Sequence, residues 1–470
     1  MGGKKLDNTS SNGNGTNADN NNSNNGAVGA NSNNFNSNPN TTTLKITVKP
    51  PPATIHQSPV INLDRGDPSV FEPYWKKNGG KCTITISGHE SLSYFSDPHS
   101  VCWYMEPELQ DAIRRVHLIV GNARTEGYHV VVGTGSTILF QAALYALSSS
   151  SAVVAQPMKV VCAAPYYSQY KEQVELLQSR LYEWGGDANT YDDEDKTAPF
   201  IEVVTSPNNP DGSLREATVA NKTENGGKLI HDLAYYWPNY TPITRPEDHD
   251  IMLFTLTKCT GHAGSRIGWA LVKDVAVAQK MTSFMQITTI GVSKDSQLRA
   301  ARILQVVADD CESKAGAFGY GGDDADRTFF GECRKVMAGR WEKLREAVKG
   351  NDVFGLPKYP KRYCNFSGRY FQPAPAFGWL ECKEGYDASA LMKANNVLTR
   401  GGDTFGASNR YTRISMIGRE EEFDRFLERI SGIHCVNEDE DKEGEEGLVV
   451  IHDNNGNARR GNGNFLHEVK

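Results

Sequence analysis

The chain has 470 residues, 38% hydrophobic and 23% charged, with a formal net charge of −7. This balance supports a globular core but excludes the broad basic face that nucleic-acid binding requires, and no basic–aromatic track for single strands is visible. No apolar run approaches the ~20 residues of a membrane span, Met1–Leu6 has no apolar signal core after its lysines, and nine scattered cysteines without a Cys-x-x-Cys pair point to a reduced, cytoplasmic protein with no metal site.

Residues 1–58 read as a disordered tail. Asn, Ser, Gly and Thr dominate to about residue 43, leaving too little apolar surface to offset the entropy of ordering. Lys49-Pro50-Pro51-Pro52 closes the tail as a stiff extended link. Order is expected from Val60-Ile61-Asn62-Leu63 onward. Glu106 to Val120 has helical spacing, with Leu109, Ile113, Val116 and Val120 on one stripe. Val130–Val132 predicts a short strand ending in Gly133-Thr134-Gly135-Ser136-Thr137, and a helix is expected over Ile138–Leu147. Further buried strands are expected at Val160–Ala163, Ile201–Thr205, Lys228–His231, Ile251–Thr255 and Ile267–Val272. Strands without polar alternation, separated by helices, indicate an α/β fold with a mainly parallel sheet. From about 274 to 350 the pattern is helical, including Arg340–Val348, and Trp379–Glu381 and Tyr411–Met416 predict strands of a smaller α+β unit. An acidic run at 437–446 and an Asn/Gly-rich end make 436–470 a second solvated tail. Asn239-Tyr240-Thr241 spells a glycosylation sequon, expected to carry nothing in a cytoplasmic protein.

Four short segments carry chemistry, each at a strand end. Gly133–Thr137 joins a strand to a helix, where free N–H groups and the positive helix end suit a phosphate. Ser206-Pro207-Asn208-Asn209-Pro210-Asp211-Gly212 reads alone as a turn, and Asp232 in His231-Asp232-Leu233-Ala234-Tyr235 reads alone as a helix cap. Lys258 stands in Thr257-Lys258-Cys259-Thr260-Gly261-His262-Ala263-Gly264-Ser265-Arg266. A lone loop lysine is an ordinary surface residue, but at a desolvated sheet end its amine becomes a nucleophile. Ligands of open α/β sheets bind beyond the carboxyl ends of the strands. There these segments gather a phosphate cradle, an amide, a carboxylate, a phenol, an amine and a guanidinium. Pyridoxal 5′-phosphate (PLP) needs this set.

With these segments, Asn62-Leu63-Asp64-Arg65-Gly66-Asp67-Pro68 and Ser93-Tyr94-Phe95-Ser96-Asp97, the chain resembles the fold-type I PLP aminotransferases. Within them it resembles the plant tryptophan aminotransferase and alliinase family, over about Asn62 to Ile433. The resemblance implies that Lys258 bonds the cofactor aldehyde and then takes the substrate Cα proton, while Asp232 keeps the pyridine nitrogen protonated. It implies that Asn209 and Tyr235 bind the ring hydroxyl, and that Ser136, Thr137, Thr255, Thr257 and Arg266 hold the phosphate. Tyr167 would lie against the ring, Tyr94 would reach the cofactor from the opposite subunit of a homodimer, and Arg413 would bind the substrate α-carboxylate. His262 and Cys259 are expected to be structural. The implied architecture has a large PLP-binding domain at 101–330 and a small C-terminal domain at 331–435. Residues 59–100 would supply the N-terminal part of the small domain and dimer contacts.

The expected reaction converts L-tryptophan and pyruvate, or another 2-oxo acid, to indole-3-pyruvate and an amino acid, as in auxin biosynthesis. A carbon–sulfur lyase of the alliinase kind uses the same residues and stays open. The absence of cysteine before Cys82 leaves no room there for the Cys-rich module of alliinases. A non-catalytic sensor or scaffold would be expected to lack Lys258, Asp232 or Arg266, and all three are present.

Overall fold

A computed structural model describes residues 45–48, 59–148, 156–191, 199–220, 227–314, 324–351, 353–383 and 385–436. The disorder expected of residues 1–44, 49–58 and 437–470 falls outside them. In chain order the main elements begin with α1 (Pro107–Val120), β1 (His129–Gly133), α2 (Ser136–Ser148), β2 (Met158–Cys162), α3 (Gln169–Leu176) and β3 (Tyr182–Asp187). They continue with β4 (Phe200–Thr205), β5 (Lys228–Asp232), β6 (Ile251–Thr255), α4 (Leu256–Cys259), β7 (Gly268–Val272), α5 (Val275–Thr289), α6 (Lys294–Ser313) and α7 (Phe329–Lys349). The rest are β8 (Phe354–Gly355), β9 (Phe377–Cys382), α8 (Ala388–Ala394), β10 (Arg400–Gly401), β11 (Tyr411–Ser415) and α9 (Glu420–Ser431).

Strands β1 to β7 form one sheet in the order β1-β7-β6-β5-β4-β2-β3. Its pairings are parallel except where β7 runs antiparallel to both β1 and β6. Every position of β4, β6 and β7 is buried, as expected of strands covered by helices on both faces. A second sheet, β8-β9-β11-β10, is antiparallel. Ile61–Asn62 pairs in parallel with Val397–Leu398, and Ser415 N donates to Leu63 O at 2.9 Å. The loop after Leu63 is thereby fixed beside β11.

Helix ends follow their cap residues. Pro107 opens α1, and Gly121 closes it in the left-handed region (φ 68°). Asp274 accepts from Ala276 N (2.7 Å), Thr328 from Gly331 N (3.2 Å) and Asp387 from Ala390 N (2.8 Å); such caps contribute roughly 1 kcal/mol each.

Two features differ from the sequence reading, and a third reaches the expected outcome for another reason. Strand β3 has no apolar alternation, yet it pairs with β2 at the sheet edge; a Cβ on Gly185 would lie 2.9 Å from the Val161 side chain. Lys45–Val48, inside the expected tail, pairs antiparallel with Ile433–Val436, a strand that its Lys-Ile-Thr-Val alternation supports. Asn239 of the sequon is fully buried, so the fold itself makes it inert.

Candidate active site

At the carboxyl ends of β4, β5 and β6 lies a cavity of about 200 Å³. Ten residues expected at the site line it: Ser136, Thr137, Tyr167, Asn209, Asp232, Tyr235, Thr255, Thr257, Lys258 and Arg266. Arg413 is buried on β11 behind Asn209, and its NH1 donates to Asn209 Oδ1 at 3.1 Å. Tyr94 does not line the cavity of its own chain and is 66% exposed.

Lys258 sits in the single turn α4, which Thr255 caps by accepting from Thr257 N at 3.3 Å. Its Nζ donates to Gly66 O at 2.8 Å and lies 5.5 Å from the Tyr235 ring centre. Burial pulls its pKa down to about 7, the Arg413 charge acts in the same direction, and Asp67 opposes them. Asp232 ends β5. Its Oδ2 accepts from Tyr170 Oη at 2.7 Å and its Oδ1 from Ala234 N at 3.0 Å. Burial raises its pKa, against these two bonds and the charge of Lys258. Tyr170 Oη also lies 2.8 Å from Thr205 Oγ1. Because the tyrosine proton is committed to Asp232, Thr205 must be the donor of that bond.

The turn after β1 is a backbone cradle. Gly135 has φ 95°, and a Cβ there would lie 2.5 Å from the Arg266 guanidinium. A Cβ on Gly268 would lie 2.6 Å from Ser136 N. Both glycines are therefore required for Arg266 and the first turn of α2 to meet. Arg266 is itself left-handed (φ 50°), a conformation costing about 1–3 kcal/mol in a residue with a side chain. Its NH1 donates to Ala263 O (3.0 Å) and its NH2 to Thr134 O (3.3 Å). The arrangement puts helix-terminal N–H groups, two hydroxyls and a guanidinium around one point, a donor set for a dianion.

Tyr170, Thr205, Phe140, Gln173 and Ala234 also line the cavity and were not anticipated. Tyr170 stands three residues beyond Tyr167, and its N donates to Tyr167 O at 3.0 Å; that spacing is the signal that could have found it. His262 bonds Thr260 Oγ1 (2.9 Å) and packs on Trp75 (4.6 Å between ring centres), and Cys259 is fully buried; neither lines the cavity.

The family model described as Allinase matches residues 61–434. The chain belongs to the allinase family. Its relatives include tryptophan aminotransferase-related protein 2 of Arabidopsis thaliana, 51% identical over 374 residues that cover 79% of this chain and 81% of that one. The protein of the same name from Oryza sativa subsp. japonica is 49% identical over 80% of this chain and 73% of its own. Alliin lyase of Allium cepa is 36% identical over 77% of this chain and 74% of its own. Among solved structures, an aminotransferase from Staphylococcus aureus covers 82% of this chain and 96% of its own, with TM-score 0.54 and 18% identity. Aspartate aminotransferase from Rhizobium meliloti gives TM-score 0.53 at 16% identity, over 80% and 91%. The fold is that of the fold-type I PLP aminotransferases.

The cofactor of this allinase-family enzyme is PLP, and the cavity fits it. The glycine cradle leaves its N–H groups and Arg266 open to a phosphate because no Cβ intrudes, Asp232 presents a carboxylate within a fixed pair of donors, and Lys258 is an amine whose pKa burial lowers to about 7. Two outcomes follow. Tyr170→Phe keeps the ring that packs on Phe140 and Tyr167 and removes one bond to Asp232. It is expected to weaken PLP binding about tenfold, the ~1.5 kcal/mol of a hydrogen bond to a charged group; an unchanged fluorescence titration would refute this. Below pH 7 the Lys258 ammonium cannot attack an aldehyde. Capture of PLP by the cofactor-free protein should therefore quicken as pH rises through about 7. A stopped-flow midpoint near that of free lysine, about 10.4, would contradict it.

Proposed function

We propose that this enzyme transfers the amino group of L-tryptophan to pyruvate, giving indole-3-pyruvate, in auxin biosynthesis. About half-identity to tryptophan aminotransferase-related proteins carries the choice of substrate. Bound PLP supplies an electron-poor ring that stabilises negative charge on the substrate Cα. Lys258 Nζ would take the proton from the substrate Cα. Asp232 holds a proton on the pyridine nitrogen, and Tyr170 with Thr205 keeps that carboxylate charged. Asn209 and Tyr235, which line the cavity, would bind the ring hydroxyl, and Tyr167 would lie against the ring. Ser136, Thr137, Thr255, Thr257 and Arg266 hold the phosphate. Arg413 binds the α-carboxylate: two of its five N–H groups are engaged, by Asn209 Oδ1 and by Asp64 O (2.6 Å), and its Nε has no partner.

The enzyme is proposed to be a cytoplasmic homodimer, in which exposed Tyr94 beside exposed Leu92 and Phe95 reaches the partner's site. Free, buried cysteines such as Cys102, Cys162, Cys259 and Cys333 suit a reducing compartment. Among the described residues no helix is long and apolar enough to cross a membrane. The sheet of β1–β7 would belong to a large domain at 101–330, and that of β8–β11 to a small one at 331–435 joined by residues 59–100.

The second reading is an alliinase-type carbon–sulfur lyase, favoured by the 36% identity to alliin lyase. Mixing the PLP enzyme with tryptophan and no acceptor separates the two. Stoichiometric indole-3-pyruvate and aminated cofactor are expected; if neither forms and S-alkyl-cysteine sulfoxides yield pyruvate, the transaminase reading falls.

A further inference from the structure

We propose that Asp64 sets the charge of the substrate-carboxylate site, and so confines it to substrates with a single carboxylate. This rests on the reading that Arg413 takes the α-carboxylate. Asp64 does two things from one position. Its main-chain oxygen accepts from Arg413 NH2 at 2.6 Å. Its carboxylate grips Arg400 at two points, Oδ1 to Nε at 2.6 Å and Oδ2 to NH2 at 3.2 Å. The remaining Arg400 nitrogen, NH1, donates to Ser168 Oγ at 3.0 Å. Ser168 is buried and follows Tyr167, which lines the cavity. Every nitrogen of Arg400 is thus engaged, although its charge acts on both Arg413 and Tyr167.

The charge count decides the selectivity. Two guanidiniums face one carboxylate, so the cluster carries about one net positive charge and is neutralised by one substrate carboxylate. Two further charges of opposite sign act from outside, Glu172 on Arg400 and Arg65 on Asp64, but both are exposed and they offset each other, and Glu172 is bonded to Gln169 at 2.7 Å. The second carboxylate of a dicarboxylic substrate would need a free guanidinium. Arg400 is placed to be one, and Asp64 occupies it. The position of Asp64 is not adjustable, because Leu63 N donates to Leu398 O (2.8 Å) and Leu63 O accepts from Ser415 N (2.9 Å). A half-buried ion pair between side chains 32% and 26% exposed discriminates by charge balance more than it stabilises.

The test is Asp64→Asn in the full-length PLP enzyme. It keeps the shape, the main-chain acceptor and one side-chain acceptor, and removes one negative charge. The ratio of kcat/KM for 2-oxoglutarate to that for pyruvate is expected to rise about fivefold or more, and Arg400→Gln added to it should return the ratio to the parental value. Arg400→Gln alone leaves Asp64 uncompensated beside Arg413. It should raise KM for pyruvate and for the amino donor with kcat kept, which a general folding defect would not do. An unchanged ratio in Asp64→Asn, or equal loss with both acceptors, overturns the proposal. Should the parent enzyme transaminate nothing, the functional reading fails separately. Competition by propionate and succinate for the holoenzyme, read from cofactor absorbance, then still decides the role of Asp64: a shift toward succinate in Asp64→Asn supports it, and no shift overturns it.

Discussion

Lys258→Ala is expected to lower kcat/KM at least a thousandfold, about 4 kcal/mol of transition-state stabilisation. The side chain is proposed both to bond the cofactor and to carry the Cα proton, and no other amine among the cavity-lining residues can do either. The cradle of Gly135, Ser136 and Arg266 is untouched, as is the Asp232–Tyr170 pair, so the variant should still bind PLP without a covalent link. Borohydride reduction followed by mass spectrometry should attach cofactor to the parent enzyme and not to the variant. Added small primary amines should restore part of the proton transfer. Turnover within about tenfold of the parent would remove Lys258 from the mechanism.

Arg413→Lys is expected to raise KM for the amino acid and for the 2-oxo acid by 10–100-fold, about 1.4–2.7 kcal/mol. The guanidinium stacks over Phe377 (4.1 Å) and Phe405 (5.2 Å), and burial pulls its pKa down to about 10. A lysine there keeps the charge but loses the planar fork, and it cannot reach Asn209 and Asp64 O together while leaving two parallel donors for a carboxylate. Because the proposed reaction would pass both substrates through one α-carboxylate site, the two KM values should move together. A rise in one alone would mean that the arginine serves only one substrate.

Apart from Arg413, which lies within β11, the parts of this site that were legible in the sequence share one property: each is a local segment that follows a buried strand. Lys258 and Arg266 lie in one glycine-rich loop, Asn209 in a turn after β4, Asp232 and Tyr235 at the end of β5. Gly133–Thr137 announces its cradle through glycine spacing. The parts that were not legible depend on distance in the chain. Asp64 and Arg400 meet across 336 residues, and nothing local marks either as a partner. Tyr170 reads as a helix aromatic packed in the core until Asp232 is placed opposite its hydroxyl. Strand β3 was hidden because its Gly185 answers to the side chains of β2, a tertiary demand that overrides strand propensity. Lys45–Val48 was hidden in a tail whose composition argues against order, although its own four residues alternate.

The reversed strand β7 has a kinetic meaning. Thr255 and Gly268 are register partners, so β6 and β7 form a hairpin closed by near neighbours in the chain, whereas β4, β5 and β6 are joined through long crossovers. Closing a short loop costs less chain entropy than closing a long one, and local contacts form early. Segment 256–267, which carries both the amine and the guanidinium, can therefore assemble before Asn209 and Asp232 come into line. It can likewise persist when the remaining strands separate. In an opening molecule, a cofactor held as proposed, by Lys258 and Arg266 of that hairpin, would remain leashed to the chain after its other contacts are gone.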